Sequence, residues 1–247
     1  MNLTLRLRSR VELFKGSDQW HEVTIAKEFP AGETALLLCD VWDTHTCKTA
    51  ARRCGVLAEQ IARVVESARA KGVTIIHAPS DCMDFYKDAP QRKRMKELSV
   101  VEPPAPRELP DPPLPIDDSD WCEDDPPCNN KPAKWPWTRE SAAIRVADED
   151  FISQDGREVY NLFRQRGINT LLICGVHTNM CVMKRSFAIK QMTRWGVPCI
   201  LLRDLTDALY NPRQRPHVTH DEGTELVVQH IEKNWCPTTL SGDLVKS

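Results

Sequence analysis

Short apolar runs alternate with longer amphipathic stretches through most of the chain. This alternation is typical of βαβ units, in which parallel strands are joined by helices that pack on the sheet. The predicted strands cover residues 35–39, 73–77, 143–146, 170–174 and 198–202. We therefore expect a mostly parallel sheet between two layers of helices, a three-layer α/β/α domain.

Apolar residues at helical spacing connect these strands. Between the first two strands the series includes Leu57, Ile61 and Ala68, and Gly72 follows as a C-terminal stop. Further helices are predicted near 156–166, 179–195 and 221–234.

Two segments do not follow this repeating unit. Residues 3–29 alternate apolar with polar side chains, which predicts an N-terminal β-hairpin extension over 1–30. Residues 78–142 hold 13 of the 18 prolines, and proline removes a backbone donor and fixes φ. We expect the main domain to span 31–247, with this Pro-rich insert, 78–142, forming a lid or an interface.

Charge and composition narrow the choice of binding partner. The 247 residues carry 33 Lys and Arg against 35 Asp and Glu, a net charge of −2, which argues against nucleic acid or membrane binding through a basic face. No apolar run approaches the roughly 20 residues of a transmembrane helix, and the opening MNLTLRLRSR lacks the apolar block of a signal peptide. We expect a cytoplasmic homo-oligomer that acts on a small molecule, and the cysteine usage leaves export open.

Ten cysteines are many for a cytoplasmic enzyme of this size, although three lie in predicted strands, where a thiol is ordinary core packing. If the native protein is exported, Cys122 with Cys128 or Cys47 with Cys54 are candidates for disulfides. The spacing of Cys122 and Cys128 suits the closure of a small loop better than a zinc knuckle.

Two predicted strands lead into residues suited to nucleophilic catalysis. Ligands of open parallel sheets bind beyond the carboxyl ends of the strands. Asp40 follows the first strand directly, and Cys181 lies a few residues beyond the fourth, where a helix is predicted to begin. A helix N-terminus and a nearby cation lower the pKa of a thiol, and a carboxylate such as Asp40 can accept its proton. Taken singly, these side chains are also consistent with helix capping and core packing.

The segment 175–182, GVHTNMCV, resembles the G-V-x-T-x-x-C-V signature of the isochorismatase-like cysteine hydrolases, which include nicotinamidases and carbamoylases. The segment 37–41, LLCDV, resembles their opening strand and aspartate. The similarity covers roughly 33–77 and 143–235.

This resemblance implies a Rossmann-like fold and an Asp-Lys-Cys triad in which Asp40 is the base and Cys181 the nucleophile. It also implies a cis peptide between Val176 and His177, with the backbone N–H groups of Cys181 and His177 forming an oxyanion hole. The implied reaction is hydrolysis of a C–N bond in a small amide or carbamoyl compound through a thioester.

The cation of the triad has three candidates in the sequence. We prefer Lys134, because Lys134-Trp135 resembles the K-W of some isochorismatases. Arg139 and Arg145 are the alternatives, and an arginine would stabilise the thiolate without supplying a proton at neutral pH.

Side chains near the strand ends are the expected substrate contacts: Trp42, His45, His77 and His177. These histidines together with Asp81 have the chemistry of a zinc site, but their spacing is not a tight ligand pattern, so we expect no metal or other cofactor. Aromatic side chains of the insert are expected to roof the pocket or to anchor the insert: Trp121, Trp135 and Trp137.

Two other functions stay open beside the cysteine hydrolase. One is a catalytically silent binding or structural subunit that uses the hairpin and the insert for assembly. The other is a metal-assisted hydrolase in which Cys181 is not the nucleophile.

Overall fold

An eight-stranded sheet forms the centre of the computed structural model, which describes residues 1–128 and 132–245. The strands are β1 (Asn2–Glu12), β2 (Trp20–Pro30), β3 (Thr34–Cys39), β4 (Thr74–Ala78), β5 (Phe151–Ile152), β6 (Thr170–Val176), β7 (Cys199–Asp207) and β8 (Thr238–Thr239). They lie in the order β2, β1, β8, β7, β6, β3, β4, β5. β1 is antiparallel to both of its neighbours, whereas the strands from β8 to β5 are parallel.

Helices cover both faces of this sheet. The described helices are α1 (Lys48–Ala70), α2 (Met83–Tyr86), α3 (Pro90–Lys96), α4 (Gly156–Arg166), α5 (Cys181–Lys184), α6 (Ile189–Arg194), α7 (His220–Asn234) and α8 (Gly242–Val245). One apolar core joins the sheet to α1 and α8, and a second joins it to the helices from α4 to α7. Each helix in the described part of the chain is too short or too polar to span a bilayer.

β3 and β6 lie side by side within the sheet, and all of their residues are buried. Successive side chains point to opposite faces, so Leu36 and Leu172 pack toward α1, whereas Leu37 and Ile173 pack toward the other helical layer. Near-continuous apolar runs are typical of parallel strands covered on both faces. The predicted three-layer α/β/α architecture is confirmed.

The predicted N-terminal hairpin is present as β1 and β2. Leu3, Leu5 and Leu7 are buried on one face, and the polar residues between them are more exposed. β1 extends the main sheet because Arg8 pairs with Thr238 of β8.

The predicted strand at 143–146 is wrong. Ile144 lies in a turn, where its N–H donates to the Ser141 carbonyl at 3.1 Å, and its side chain is buried in the core beneath α1. The strand that pairs with the outer edge of β4 is instead β5, which consists of Phe151 and Ile152. Burial of one apolar side chain in a turn therefore produced a strand-like pattern without a strand.

The predicted helix at 179–195 is interrupted. Arg185 has an extended backbone, with ψ of 154°, and separates α5 from α6. The insert begins with α2 and α3, and its other described residues, 97–128 and 132–142, form no regular helix or strand. Cys122 and Cys128 are joined by a disulfide, whereas Cys47 and Cys54 are separate thiols.

Candidate active site

Polar side chains that follow three adjacent strands converge at one edge of the sheet. β3 leads into Asp40, β6 leads into His177 and Cys181, and β4 leads into Ser80 and Asp81. Because β6, β3 and β4 are neighbours in the sheet, their carboxyl ends meet at one place. This edge is the candidate active site.

Asp40 is fully buried and is held from three directions. Its backbone has φ of 51°, which turns the chain away from the strand, and its N–H donates to the Ala78 carbonyl. Its Oδ1 accepts the Ser80 N–H at 2.7 Å. Its Oδ2 accepts Nε–H of Arg185 at 3.0 Å. The carboxylate therefore has a fixed orientation before any ligand binds.

Cys181 is the first residue of α5, and its thiol is hydrogen-bonded to the Asp40 carboxylate. The backbone N–H of His177 also faces this sulfur. The close approach of β6 to β3 makes this arrangement possible, because a Cβ at Gly175 would collide with the Cys39 carbonyl oxygen. Gly175 also has φ of 110°, which other residues rarely adopt.

Arg185 is the cation of the site. It lies one helical turn beyond Cys181, and the break in the helix at this residue lets its side chain return to Asp40 and to Asp81, at 3.4 Å. The break packs against the start of α4, where a Cβ at Gly156 would collide with the Ser186 carbonyl oxygen. Packing between α4 and this segment therefore positions the guanidinium.

Asp40, Cys181 and Arg185 shift one another's pKa values. Burial raises the pKa of Cys181 well above its usual range, and the charge of Asp40 raises it further. Burial also raises the pKa of Asp40, whereas Arg185 lowers the pKa of both acids. The positive charge of Arg185 thus stabilises one negative charge shared between the carboxylate and the sulfur.

A cavity of about 310 Å³ opens above Cys181. Its lining residues are Trp42, His45, Asp81, Trp121, Trp135, Trp137, His177, Met180, Cys181, Arg185 and Leu209. The volume is that of a small-molecule site. Most of the wall is aromatic or apolar, and the charged groups lie on the side of Arg185.

Three indole rings form a stack along the wall. Trp137 lies between Trp42, with 4.1 Å between ring centroids, and Trp135, at 4.8 Å. The Trp42 Nε1–H donates to the Ser80 carbonyl at 3.0 Å, which ties the stack to the strand end beside Asp40. The insert therefore contributes both to roofing the pocket and to anchoring itself on the domain.

Two histidines lie in the cavity wall with their rings 5.1 Å apart. Burial lowers the pKa of His45 to about 4 and that of His177 to about 3, so both are neutral at neutral pH. His45 Nδ1 accepts the Cys47 N–H at 3.1 Å, which leaves the proton on Nε2. His177 is 2% exposed, and its Nε2 is buried without a hydrogen-bond partner among the described residues.

The structure does not bring any of the three predicted cations to Asp40. Lys134 is exposed and lies outside the cavity wall. Arg139 lies over the Phe85 ring, and Arg145 is exposed and paired with Glu66 at 2.8 Å. The cation that contacts Asp40 is Arg185, which was not predicted from the sequence. The one sequence feature that pointed to it is its spacing of four residues from Cys181, which places both on one side of a helix.

The placement of His77 in the substrate site is wrong. The ring is completely buried, with Nδ1 at 2.6 Å from Glu140 and Nε2 at 3.1 Å from Asp150. Along β4 it alternates with Ile76, which packs on the opposite face, so the ring points into the layer of α1, where Arg69 also binds Asp150. His77 is part of a buried ionic network behind the sheet.

The other predicted contacts, Trp42, His45 and His177, do line the cavity. The predicted alternative zinc ligands do not converge, since His77 faces another layer and, within the described ranges, the donor groups that cluster tightly lie elsewhere. The peptide between Val176 and His177 is cis, as the resemblance implies.

Solved structures share this fold. No protein-family model and no curated protein matches the sequence. A cysteine hydrolase from Pseudomonas syringae pv. phaseolicola 1448A has a TM-score of 0.53 at 15% identity, over 88% of this chain and 93% of that one. An isochorismatase from Pseudomonas putida KT2440 has a TM-score of 0.50 at 12% identity, over 87% and 91%. The chain therefore has an isochorismatase-like fold.

Proposed function

We propose that the protein is a cysteine hydrolase that cleaves the C–N bond of a small amide or carbamoyl compound through a thioester on Cys181. The observation that carries this proposal is the contact of the Cys181 thiol with the buried Asp40 carboxylate, beside Arg185, at the floor of the cavity. One of the similar structures is named a cysteine hydrolase, which supports a hydrolytic reaction.

In the first half of the proposed reaction, the Cys181 sulfur attacks the substrate carbonyl carbon while its proton moves to Asp40. The C–N bond then breaks, and the leaving nitrogen takes the proton from Asp40. In the second half, Asp40 accepts a proton from water as the water oxygen attacks the thioester. The C–S bond then breaks, the sulfur takes the proton back from Asp40, and the acid is released, so the reaction consumes one water.

Arg185 would stabilise charge in this cycle and transfer no proton, because a guanidinium stays protonated. It contacts Asp40 in the resting site, and its charge favours the thiolate of Cys181 as well. The backbone N–H groups of His177 and Cys181 are the proposed donors to the oxyanion of the tetrahedral intermediate.

The cavity wall favours a flat, uncharged substrate. A planar group can lie against the stacked Trp42 and Trp137. The neutral His45 offers an Nε2–H donor, and His177 offers a buried ring nitrogen that has no partner in the described residues. A charge placed against this part of the wall, away from Arg185 and Asp81, would lose more hydration than these neutral groups replace.

The site favours an enzyme over a silent binding subunit. A buried carboxylate costs free energy, and placing a second acid, the Cys181 thiol, against Asp40 raises the pKa of the thiol further. A binding pocket needs neither group there, whereas nucleophilic catalysis needs both. Among the described residues the donor groups that cluster tightly lie outside this edge, and the proposed reaction needs no cofactor.

The test is turnover of a panel of small planar amides, carbamates and carbamoyl compounds, with released ammonia or amine as the readout. We expect turnover of at least one planar, uncharged member by the native protein and none by Cys181→Ala. Cys236→Ala, which removes a buried thiol outside the cavity wall, is the matched control. Equal turnover by Cys181→Ala and the control would contradict the proposal.

A further inference from the structure

A cluster of three cysteine sulfurs and one carboxylate lies beside the active-site cavity. The side chains of Cys47, Cys122, Asp124 and Cys128 each offer one donor atom, and these atoms all lie within 4.8 Å of one another. Cys47 precedes α1, whereas the other three belong to the Pro-rich insert. The cluster thus joins two segments that are distant in the sequence.

The distance between Cys47 and Asp124 suits tetrahedral coordination. Zinc binds thiolate sulfur at about 2.3 Å, so two ligand atoms at tetrahedral positions are about 3.8 Å apart. The Cys47 sulfur lies 3.5 Å from Oδ1 of Asp124, close to this spacing. Three sulfurs and one carboxylate oxygen complete a four-ligand site, the closed type that zinc adopts in structural roles.

The surroundings hold the donor groups in place. Cys47 and Cys122 are buried, and Ala50 and Leu209 pack around them. The Asp124 carboxylate accepts the N–H of Lys48 at 2.7 Å and the N–H and hydroxyl of Thr49. Hydrogen bonds of this kind orient a metal-binding carboxylate.

The N-terminus of α1 adds electrostatic support. The Cys47 sulfur accepts the Ala50 N–H at 3.5 Å, in the first turn of a helix of 23 residues. The first-turn amides, which donate to the sulfur and to Asp124, and the dipole of this helix end favour negative charge on both groups. A cation bound among three thiolates would need this compensation, because such a site carries net negative charge.

We propose that, in its reduced form, this cluster binds one zinc ion that fastens the Pro-rich insert to the start of α1. The disulfide between Cys122 and Cys128 is the oxidised form of the same cluster. The disulfide uses two of the sulfurs and leaves the Cys47 sulfur and the Asp124 carboxylate bound to each other and to the first turn of α1, whereas a metal would use all four groups.

The zinc would position one wall of the active-site cavity. Trp121, which lines the cavity, directly precedes Cys122. His45, on the same wall, accepts the backbone N–H of Cys47. Release of the metal would therefore loosen both an aromatic and a polar contact of the cavity without touching Cys181.

The test uses the full chain treated with a phosphine reductant, which is oxidised to the phosphine oxide with oxygen from water as the disulfide becomes two thiols. After removal of metal with a chelator, the protein is titrated with Zn²⁺ alone. We expect one zinc per chain, release of protons from the three thiols, and a higher melting temperature. A reduced native chain that takes up no zinc would overturn the proposal.

Variants locate the site. Cys47→Ser should lower zinc affinity by at least about 100-fold, and Asp124→Asn by about 10-fold or more. Cys54→Ser, a buried cysteine of the same helix outside the cluster, is the matched control and should bind as tightly as the native chain. Equal zinc affinity of Cys47→Ser and Cys54→Ser would refute the assignment.

A spectroscopic arm decides the matter if the variants fail to fold. Cobalt(II) is added to the native reduced chain in place of zinc. We expect a thiolate-to-cobalt charge-transfer absorption whose intensity corresponds to three bound thiolates. We also expect the ligand-field bands of tetrahedral cobalt. The air-oxidised chain, with Cys122 and Cys128 in a disulfide, should give neither. Absence of the charge-transfer band from the reduced chain would overturn the proposal.

Discussion

Arg185 holds the Asp40 carboxylate from the same turn of chain that carries the nucleophile, with 3.0 Å between its Nε and Oδ2 of Asp40. Its own backbone N–H donates to the Cys181 carbonyl at 3.0 Å. The cation and the thiol are therefore fixed relative to each other by local structure, and both are fixed to Asp40 by the sheet.

Removal of the cation should impair the reaction. Arg185→Ala leaves the buried Asp40 without its ion pair, so we expect kcat/KM to fall about 100-fold, the loss typical of one preorganised electrostatic contact. Arg185→Lys keeps the charge and should retain part of the activity. Steady-state kinetics of the two variants measure the difference.

Arg145→Ala is the matched control, because Arg145 pairs with Glu66 on the surface and lies outside the cavity wall. It should keep native kcat/KM. If Arg185→Ala is as active as Arg145→Ala, Arg185 has no part in catalysis.

Substrate recognition should depend on His177. Its buried Nε2 lacks a partner among the described residues, and a ligand that hydrogen-bonds there satisfies it. His177→Phe removes that hydrogen-bonding group at similar size, so we expect KM to rise about 10-fold with a smaller change in kcat. An unchanged KM for every substrate that is turned over would show that this nitrogen does not contact substrate.

The buried His77 should make stability depend on pH. Burial lowers its pKa, but Glu140 and Asp150 outweigh this and raise the pKa to about 9. The folded protein therefore holds this proton more tightly than the unfolded chain, in which histidine titrates near 6.5. The stabilisation is complete below about pH 6.5 and is lost as the pH rises through about 9.

We expect His77→Gln to lower the free energy of unfolding at pH 6 by about 3 kcal/mol, because it leaves two buried carboxylates with less compensating charge. Urea denaturation from pH 6 to 9 should show a shallower loss of stability in this variant than in His21→Gln on the exposed hairpin. Both variants retain His220, whose pKa is also raised to about 9, by Asp207 and Glu123 against the lowering effect of burial. Parallel pH profiles would contradict the role assigned to His77.

The sheet and most helices were predictable because their apolar spacing is regular over many residues. The strand at 143–146 failed because one buried residue in a turn, Ile144, imitates the pattern of an edge strand. The helix over 179–195 was predicted without its break because the break arises from tertiary contact with Gly156 of α4, which local spacing does not encode.

The candidate site was predictable where a residue directly follows a strand, as Asp40 does. Arg185 was missed for the same reason as the helix break, since its side chain reaches Asp40 only because the chain becomes extended at that residue. His77 was wrongly predicted to contact substrate. Its position near the end of β4 indicates that it lies close to the sheet edge, but the face toward which its side chain points depends on the pairing of that strand.

The most direct test of the central claim is the mass of the protein itself during turnover. The native chain is mixed with a substrate that it hydrolyses, quenched in acid within milliseconds to seconds, and measured by intact-mass and peptide mass spectrometry. We predict an added acyl or carbamoyl mass on the peptide that contains Cys181, which disappears when the substrate is exhausted. Continued hydrolysis of the same substrate by Cys181→Ala at the native rate, without any adduct on the native chain, would contradict the claim.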